Sequence, residues 1–331
     1  MIWQKHSNVR SRRLIAVRRR SIAYYKHEYG GDLAHTRILV TGATGFIGRL
    51  LTPYLVQQGY AVTALVREAY AETGFQSWPP EIKAVRSQIE VVYADLRNWQ
   101  LTVRAVRAAQ PDAVIHLAAV GVAEPFLPVD TAVRHNVNGT INLLRACFEK
   151  TTICQQMIVA RSPGELASMN VYAASKAAAW NFCQLYGRTQ QWPIHGAMVF
   201  QAYGPGQSPR NLVPAAVAAA RAGQDFPMTV GTQRRDWIYV TDVVAGLSAM
   251  LMAALKPGET VELGSGQATS LLDVVQLVYR LVGRGGRPLP GALPSRPGEV
   301  EVQAANAVHT RERIGWGTAV TLEEGLIKVI G

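Results

Sequence analysis

Six short apolar runs punctuate the first two hundred residues, each followed by a turn or by a stretch with helical spacing. Ile38-Leu39-Val40 is the first and ends at glycines; Phe46 to Gln58 then repeats apolar residues at helical intervals and stops at Gly59. Ala61 to Val66 and Ile89 to Ala94 read as the next strands, and Trp99 to Ala109 as a helix ending before Pro111. Ala113 to Leu117, Met157 to Ala160 and Ile194 to Phe200 complete the series. Strands alternating with helices of roughly ten or more residues predict βαβ units, hence an α/β chain with a doubly wound parallel sheet.

The pattern changes after Gln201. Tyr203-Gly204-Pro205-Gly206 and Pro209 read as a loop, and Gly283 to Gly298 is rich in Gly, Pro and Arg. These breaks predict a smaller C-terminal lobe over 201–331 that caps the sheet of residues 37–200, with returns to that sheet near 236–264. The longest apolar stretch, Val243 to Leu255, includes Gly246 and Ser248 and is too short to span a bilayer. It reads as a buried helix, and no membrane partner is expected.

Composition narrows the class. Of 331 residues, 48% are hydrophobic and 17% charged, which excludes wholesale disorder. Cys147, Cys154 and Cys183 show no metal spacing, and their odd number argues against a disulfide framework; a reducing, cytoplasmic setting is the simplest expectation. No metal site is expected. The net charge of +11 is uneven: residues 1–36 hold eight Lys and Arg against Glu28 and Asp32, which is +6 of the total. The run Arg10, Arg12, Arg13, Arg18, Arg19, Arg20 suits an anionic surface or nucleic acid. It reads first as a solvated, poorly ordered extension or an early start codon, and it lacks the apolar core of a secretory signal. Nucleic acid is not the expected partner. The remaining +5 suits a protein that handles phosphorylated ligands.

Chemistry enters at residues 41–48, Thr41-Gly42-Ala43-Thr44-Gly45-Phe46-Ile47-Gly48. Gly42, Gly45 and Gly48 stand where the first strand meets the first helix. Absent side chains let the backbone turn tightly and approach a pyrophosphate, and the helix N-terminus offers free N–H groups. The GxxGxxG spacing is one residue wider than GxGxxG, yet its strand–helix context is what dinucleotide binding requires. The second strand ends at Arg67, followed by Glu68. An arginine there accepts the 2′-phosphate of NADP and an acid the ribose hydroxyls of NAD, so the cofactor is NADP or NAD, with Arg67 tilting to NADP. Asp95 is placed to meet the adenine or to cap the helix that follows.

Far downstream lies Tyr172-Ala173-Ala174-Ser175-Lys176. Tyr172 and Lys176 are four apart and share a helix face. A free phenol, with a pKa of about 10, is a poor base at neutral pH; a nearby ammonium and an oxidised nicotinamide both favour its phenolate. Ser162, ten residues earlier at a strand end, is placed to hydrogen-bond the same substrate oxygen.

These residues resemble an extended short-chain dehydrogenase/reductase, the nucleotide-sugar epimerase/dehydratase family with its Rossmann-type sheet. Further matches are Ala94-Asp95-Leu96, His116-Leu117-Ala118-Ala119, Asn136-Val137-Asn138-Gly139-Thr140, Tyr203-Gly204-Pro205-Gly206, Arg235-Asp236-Trp237-Ile238-Tyr239-Val240 with Asp242, and Arg296-Pro297-Gly298-Glu299. The resemblance implies a catalytic set of Ser162, Tyr172 and Lys176, in which Tyr172 exchanges the sugar hydroxyl proton and Lys176 also binds the nicotinamide ribose. It implies cofactor contacts at Gly42, Thr44, Gly45, Phe46, Ile47, Gly48, Arg67, Asp95, Leu96, Leu117, Ala118 and Ala119. Arg235 and Arg296 match arginines that grip the substrate diphosphate, and Gln201 replaces an asparagine that touches it. The implied substrate is a nucleoside-diphosphate sugar handled at C4, by an epimerase or a 4-ketoreductase. A homodimer is implied too, through apolar-faced helices near 128–150 and 172–190.

Some positions depart from the family. The segment from Ser162 to Tyr172 is short, which leaves Ser168 as a second candidate for the hydroxyl. Pro163-Gly164-Glu165 follows Ser162 where dehydratases carry an Asp-Glu pair, so 4,6-dehydration is disfavoured. Met198 stands where an arginine is usual and cannot replace its charge. His116, inside an apolar run, reads as structural; His6, His27 and His35 form no cluster, and Trp78, Trp99, Trp180, Trp192, Trp237 and Trp316 are too spread out for a stacking platform. Two rivals remain open: a reductase of a non-nucleotide carbonyl compound, and a non-catalytic NAD(P)-binding sensor or scaffold.

Overall fold

The computed structural model describes residues 36–67, 77–151, 153–295 and 298–331. The basic run, the three N-terminal histidines, Glu68 and Arg296 therefore lie outside the described residues.

Ile, Val and Leu dominate the predicted strands because both faces of their sheet are covered. β1 (Arg37–Thr41), β2 (Ala61–Val66), β3 (Glu90–Tyr93), β4 (Ala113–His116), β5 (Gln156–Arg161), β6 (Ile194–Val199) and β10 (Thr260–Leu263) form seven strands in the order β10-β6-β5-β4-β1-β2-β3. Every pairing is parallel. The chain starts at β1, winds outward to β3, returns to β4 beside β1, and winds outward again. The order reverses between β1 and β4, the place where open α/β sheets bind ligands.

The longer helices are α1 (Gly48–Gln57), α2 (Trp99–Ala109), α3 (Gly139–Phe148), α4 (Val171–Gln190), α5 (Leu212–Arg221), α6 (Val240–Met252) and α7 (Leu271–Val282). Side chains alternate across each strand, so successive residues join different cores. Ile38, Val40, Ile115 and Ile158 pack with Leu51 and Leu55 of α1 and Leu247 and Met250 of α6. Leu39, Val114, Met157 and Ile194 pack on the other face with Val106 of α2, Leu143 of α3 and Trp180 of α4. Cys147, Cys154 and Cys183 are free, buried thiols.

The predicted elements start and stop within a few residues of those observed. The helix expected from Phe46 begins at Gly48, because the preceding residues form the turn. The apolar stretch expected to reach Leu255 leaves helical geometry at Ala253. Pro288–Pro290 forms β12, paired with β8 (Phe226–Met228), inside the segment that reads as irregular. Its prolines masked it, since an isolated two-stranded pair has free edges where proline costs no ladder bond.

Beyond β6 a smaller sheet forms from β7 (Gln201–Tyr203), β9 (Arg234–Tyr239), β11 (Ala268–Ser270) and β13 (Val302–Gln303). Its own core gathers Tyr203, Trp237, Val217 of α5, and Val274 and Val278 of α7. Asp236, fully buried in β9, ties this sheet to the end of β10. Its Oδ1 accepts from the N–H and hydroxyl of Ser265 at 2.8 and 2.6 Å, and its Oδ2 from the N–H groups of Gly266 and Ala305 at 2.8 and 3.0 Å. Among the described residues no helix is long and apolar enough to cross a membrane.

Either orientation of an amide in place of that carboxylate turns an NH2 group on two donors. Asp236→Asn is expected to cost about 2–4 kcal/mol, read as a lowered thermal unfolding midpoint.

Candidate active site

The glycine cradle depends on how closely β1 and β4 approach. Gly42 sits at φ +71°, and a Cβ there would lie 2.8 Å from the Ala118 nitrogen and 2.9 Å from the Leu117 carbonyl carbon. A Cβ on Gly48 would run into the Gly42 carbonyl. The turn is closed by the Gly45 N–H donating to the Gly42 oxygen at 2.9 Å. The N–H groups of Phe46 and Ile47 donate to no backbone carbonyl among the described residues, and both residues stand at the start of α1, where the helix potential is positive. Arg49 anchors the helix, donating to the Gly206 oxygen at 2.6 Å.

Charges gather where β2 and β3 end. Arg67 is exposed at the end of β2. Asp95 is taken by Arg97, whose Nε reaches its two oxygens at 3.0 and 2.9 Å and whose Nη2 adds a further bond. That hydrogen-bonded guanidinium holds the Asp95 carboxyl below its ordinary range. The cap of α2 is Asn98 and not Asp95: its side chain accepts from the Leu101 N–H at 3.1 Å. Leu96 packs against Gly139, and its oxygen accepts from Asn142 at 2.8 Å.

Asn170 starts α4 by accepting from the Ala173 N–H at 2.9 Å, which puts Tyr172 in the first turn. The Tyr172 N–H donates to the Pro125 oxygen at 3.0 Å, tying the helix to the loop after β4. Asn136, in a π-helical turn over Val133–Asn138, fastens the same junction. It exchanges two 2.9 Å bonds with the Val120 backbone and donates to Ser175 Oγ at 2.9 Å. Ser175 in turn donates to the Tyr172 oxygen at 2.7 Å. Lys176 is buried one turn beyond Tyr172.

Burial controls the charges here. It pushes the Tyr172 phenol well above its usual value, with the Glu165 charge adding to the effect. The Lys176 ammonium is pushed down by burial, opposed by Glu165. Burial thus favours the neutral phenol at Tyr172 and works against the phenolate that the Tyr–Lys spacing favours. His116 is buried between Thr41 and Thr140, its Nδ1 2.7 Å from Thr41 Oγ1 and its Nε2 2.9 Å from Thr140 Oγ1. Burial, aided by the Lys176 charge, lowers its pKa to about 3.

A small cleft is lined by Ser162, Gln201, Arg235 and Gln303, and Tyr172 and Lys176 are not among its lining residues. Ser162 follows β5 at the mouth of a 3-10 turn over Pro163–Ala167, whereas Ser168, at φ +47°, is exposed and not among the lining residues. Arg235 is buried and occupied. It donates to the Val300 and Arg234 oxygens, both at 2.9 Å, and to Glu299 Oε1 at 3.2 Å. The arginine expected to be free for a diphosphate thus holds the segment that follows Arg296.

Two residues to which the sequence reading gave no role of their own stand next to Ser162. Glu165 Oε1 accepts from the Ser162 N–H at 2.7 Å, and its Oε2 from Arg161 Nε at 2.9 Å. Ser162-Pro163-Gly164-Glu165 has the S-x-x-E form of a capping box, which was the available signal. Arg161 donates to Thr260 Oγ1 at 2.9 Å and lies over the Trp180 ring, 4.5 Å from its centroid. It is the register partner of Met198, so the cation that Met198 lacks sits one strand over.

A Gly-lined strand–helix turn at the switch point, a Tyr–Lys helix and a serine-lined cleft describe a nicotinamide-dependent oxidoreductase scaffold. The chain belongs to the NAD dependent epimerase/dehydratase family, which it matches over residues 38–264. It is 27% identical over 324 residues to a dTDP-glucose 4,6-dehydratase of Xanthomonas campestris pv. campestris, covering 88% of this chain and 91% of that protein. It is 28% identical to a UDP-glucose 4-epimerase of Neisseria meningitidis serogroup B, covering 85% of this chain and 92% of that protein. In fold it matches the UDP-glucuronic acid 4-epimerase of Bacillus cereus solved with UDP-glucuronic acid and NAD. That match has a TM-score of 0.75 at 24% identity, over 88% of this chain and 97% of that one.

Family membership makes the bound group a nicotinamide dinucleotide, and the cradle fits its pyrophosphate: Gly42 and Gly48 let the turn close tightly against β4, and Gly45 leaves bare backbone exposed at the helix entrance. Gly42→Ala forces a left-handed residue against the end of β4, at a cost of roughly 1–3 kcal/mol. It is expected to weaken NAD(P)H binding about tenfold or more, measured by fluorescence titration.

The pH response has a definite sign. His116 accepts a proton at about 3 in the folded protein but at 6.5 when free. Its contribution is complete above pH 6.5 and is lost as pH falls toward 3, with a slope approaching about 1.4 kcal/mol per pH unit. Stability measured by urea unfolding between pH 7 and 4 should fall, and less steeply in His116→Gln.

Proposed function

We propose that the protein transfers hydride at C4 of a nucleoside-diphosphate sugar, as a 4-epimerase, with Ser162, Tyr172 and Lys176 as its catalytic set. The observation that carries this reading is one cleft lined at once by Ser162, Gln201 and Arg235. The curated relatives named above are dTDP-glucose and UDP-glucose enzymes, which supports the substrate class.

Bound at the cradle, the dinucleotide supplies reversible two-electron chemistry at the sugar carbon. The protein's part is proton transfer and orientation. Tyr172, held neutral by burial, gives its proton to the oxygen at C4 when a carbonyl is reduced and takes one back when the hydroxyl is oxidised. Ser162 hydrogen-bonds the same oxygen. Lys176 offers a cation to the nicotinamide ribose and to the phenolate whenever it forms. Gln201 donates to the substrate phosphates, and Arg235, displaced from Glu299, grips them.

Dehydration needs a free acid and base near the sugar. Glu165, the carboxylate nearest in sequence to Ser162, has its oxygens engaged by Arg161 and the Ser162 N–H, which supports C4 turnover without loss of water.

Arg67 favours a second reading, a 4-ketoreductase that uses NADP. It places a cation at the end of β2, while Asp95 is already engaged by Arg97. Mass spectrometry of molecules released by denaturing the fresh protein separates the two. Retained NAD supports the epimerase, and NADP or an empty site the reductase.

A second copy of the chain is the proposed partner. Val129 and Val133 at the start of the 129–148 helical segment, and Phe182 and Leu185 on α4, are exposed apolar residues on neighbouring helices. Their spacing of four and three gives each helix an outward apolar stripe. Phe182→Glu with Leu185→Glu is expected to halve the mass seen by sedimentation.

Tyr172→Phe is expected to lower turnover by about 10²–10⁴ while leaving dinucleotide binding intact. Retained turnover in that variant would remove Tyr172 from the mechanism.

A further inference from the structure

Glu165 is a buried carboxylate with only 1% of its side chain exposed, and a buried charge persists only when paired and hydrogen-bonded. Both oxygens are satisfied, one by the Ser162 N–H and one by Arg161. Arg161 is likewise enclosed: its guanidinium lies over Trp180, one nitrogen donates to Thr260, and its chain passes Gly196. A Cβ on Gly196 would lie 2.8 Å from Arg161 Cδ and 3.0 Å from the Trp180 ring, so that glycine provides the passage. The pair is therefore enclosed by residues of β5, β6, β10 and α4. It also sits beside the reacting groups: the 3-10 turn that carries Glu165 packs on α4, where a Cβ on Gly164 would lie 3.4 Å from Ala173 Cβ, next to Tyr172, and the Glu165 charge bears on both Tyr172 and Lys176.

We propose that Glu165 is a positioning residue for the C4 reaction: it fixes the backbone of Ser162 at the cleft and sets a negative charge against the Tyr172–Lys176 pair, with Arg161 as its counter-ion. This rests on the assignment of Ser162 and Tyr172 to proton handling. Arg161 also answers for the missing cation at Met198, its register partner on β6. The cation that the family resemblance places on β6 stands here on β5 and holds Glu165.

Among the described residues, the charged and titratable groups facing Tyr172 and Lys176 are few. They are Glu165 from the 3-10 turn, Arg161 from β5, His116 from β4 and Cys183 from α4. Of these, Glu165 is the one that opposes ionisation of Tyr172. Its removal makes the phenolate easier to form, so oxidation of the sugar hydroxyl begins at lower pH.

The test uses the holoenzyme and the pH dependence of dinucleotide reduction by the nucleotide sugar. Glu165→Gln keeps an acceptor for the Ser162 N–H and loses the charge. It is expected to move the acidic limb down by about one pH unit with KM little changed. Glu165→Leu loses the acceptor too, and is expected to show the same shift with a plateau rate reduced about tenfold or more. Arg161→Met combined with Glu165→Gln leaves no stranded charge, so it keeps the test open if a single variant fails to fold; the same downward shift is expected. An unmoved limb, or one moved upward, in a folded variant overturns the assignment. Tyr172→Phe run alongside separates the two claims. Activity in that variant defeats the reading of the site, whereas a silent Tyr172→Phe with an unmoved Glu165→Gln limb defeats only the role of Glu165.

Discussion

Seven parallel strands covered on both faces leave one edge of the sheet for chemistry. Each strand spends its backbone bonds on its neighbours and its side chains on two cores, so polar groups can emerge only where strands end. Thr41, Arg67, Asp95, His116 and Arg161 are all last residues of a strand or lie within two residues of its end. The catalytic helix is aimed at that edge by its own start, where Asn170 caps it and Asn136 pins it to the loop after β4. The glycines matter for the same reason. With β1 beside β4, any side chain at Gly42 would push the β4 loop away and spoil the approach to the cradle.

Burial then decides what those polar groups can do. A neutral Tyr172, a weakened Lys176 and a His116 locked between two threonines are consequences of one dry interior. In that setting the buried Arg161–Glu165 pair is a poor source of stability, because desolvating two charges offsets most of their attraction. Its value lies in orientation: one carboxylate sets the backbone of Ser162 and the local field at once.

Much of this was legible in the sequence because it is local. Alternating apolar runs and helical spacing marked the elements of the main sheet, and Tyr172-Ala173-Ala174-Ser175-Lys176 marked a helix with two chemical groups on one face. β12 was not legible, since Pro288 and Pro290 argue against a strand unless its edge is known to be free. The occupation of Asp95 by Arg97 was hidden for another reason: spacing of two along the chain says nothing of side-chain direction in a loop.

By itself the sequence determined the order of strands and helices, the glycine turn and the Tyr–Lys face, because periodicity and glycine geometry act within a dozen residues. Only the tertiary structure decided which charges are free. Arg235 is held by Glu299 and the Val300 carbonyl, and Arg161 crosses to Thr260 from 99 positions earlier. Ser162, Gln201 and Arg235 meet in one cleft although they are spread over more than seventy positions. Pairings of that range depend on register between strands and on what the dry interior will tolerate, and neither is written in local pattern.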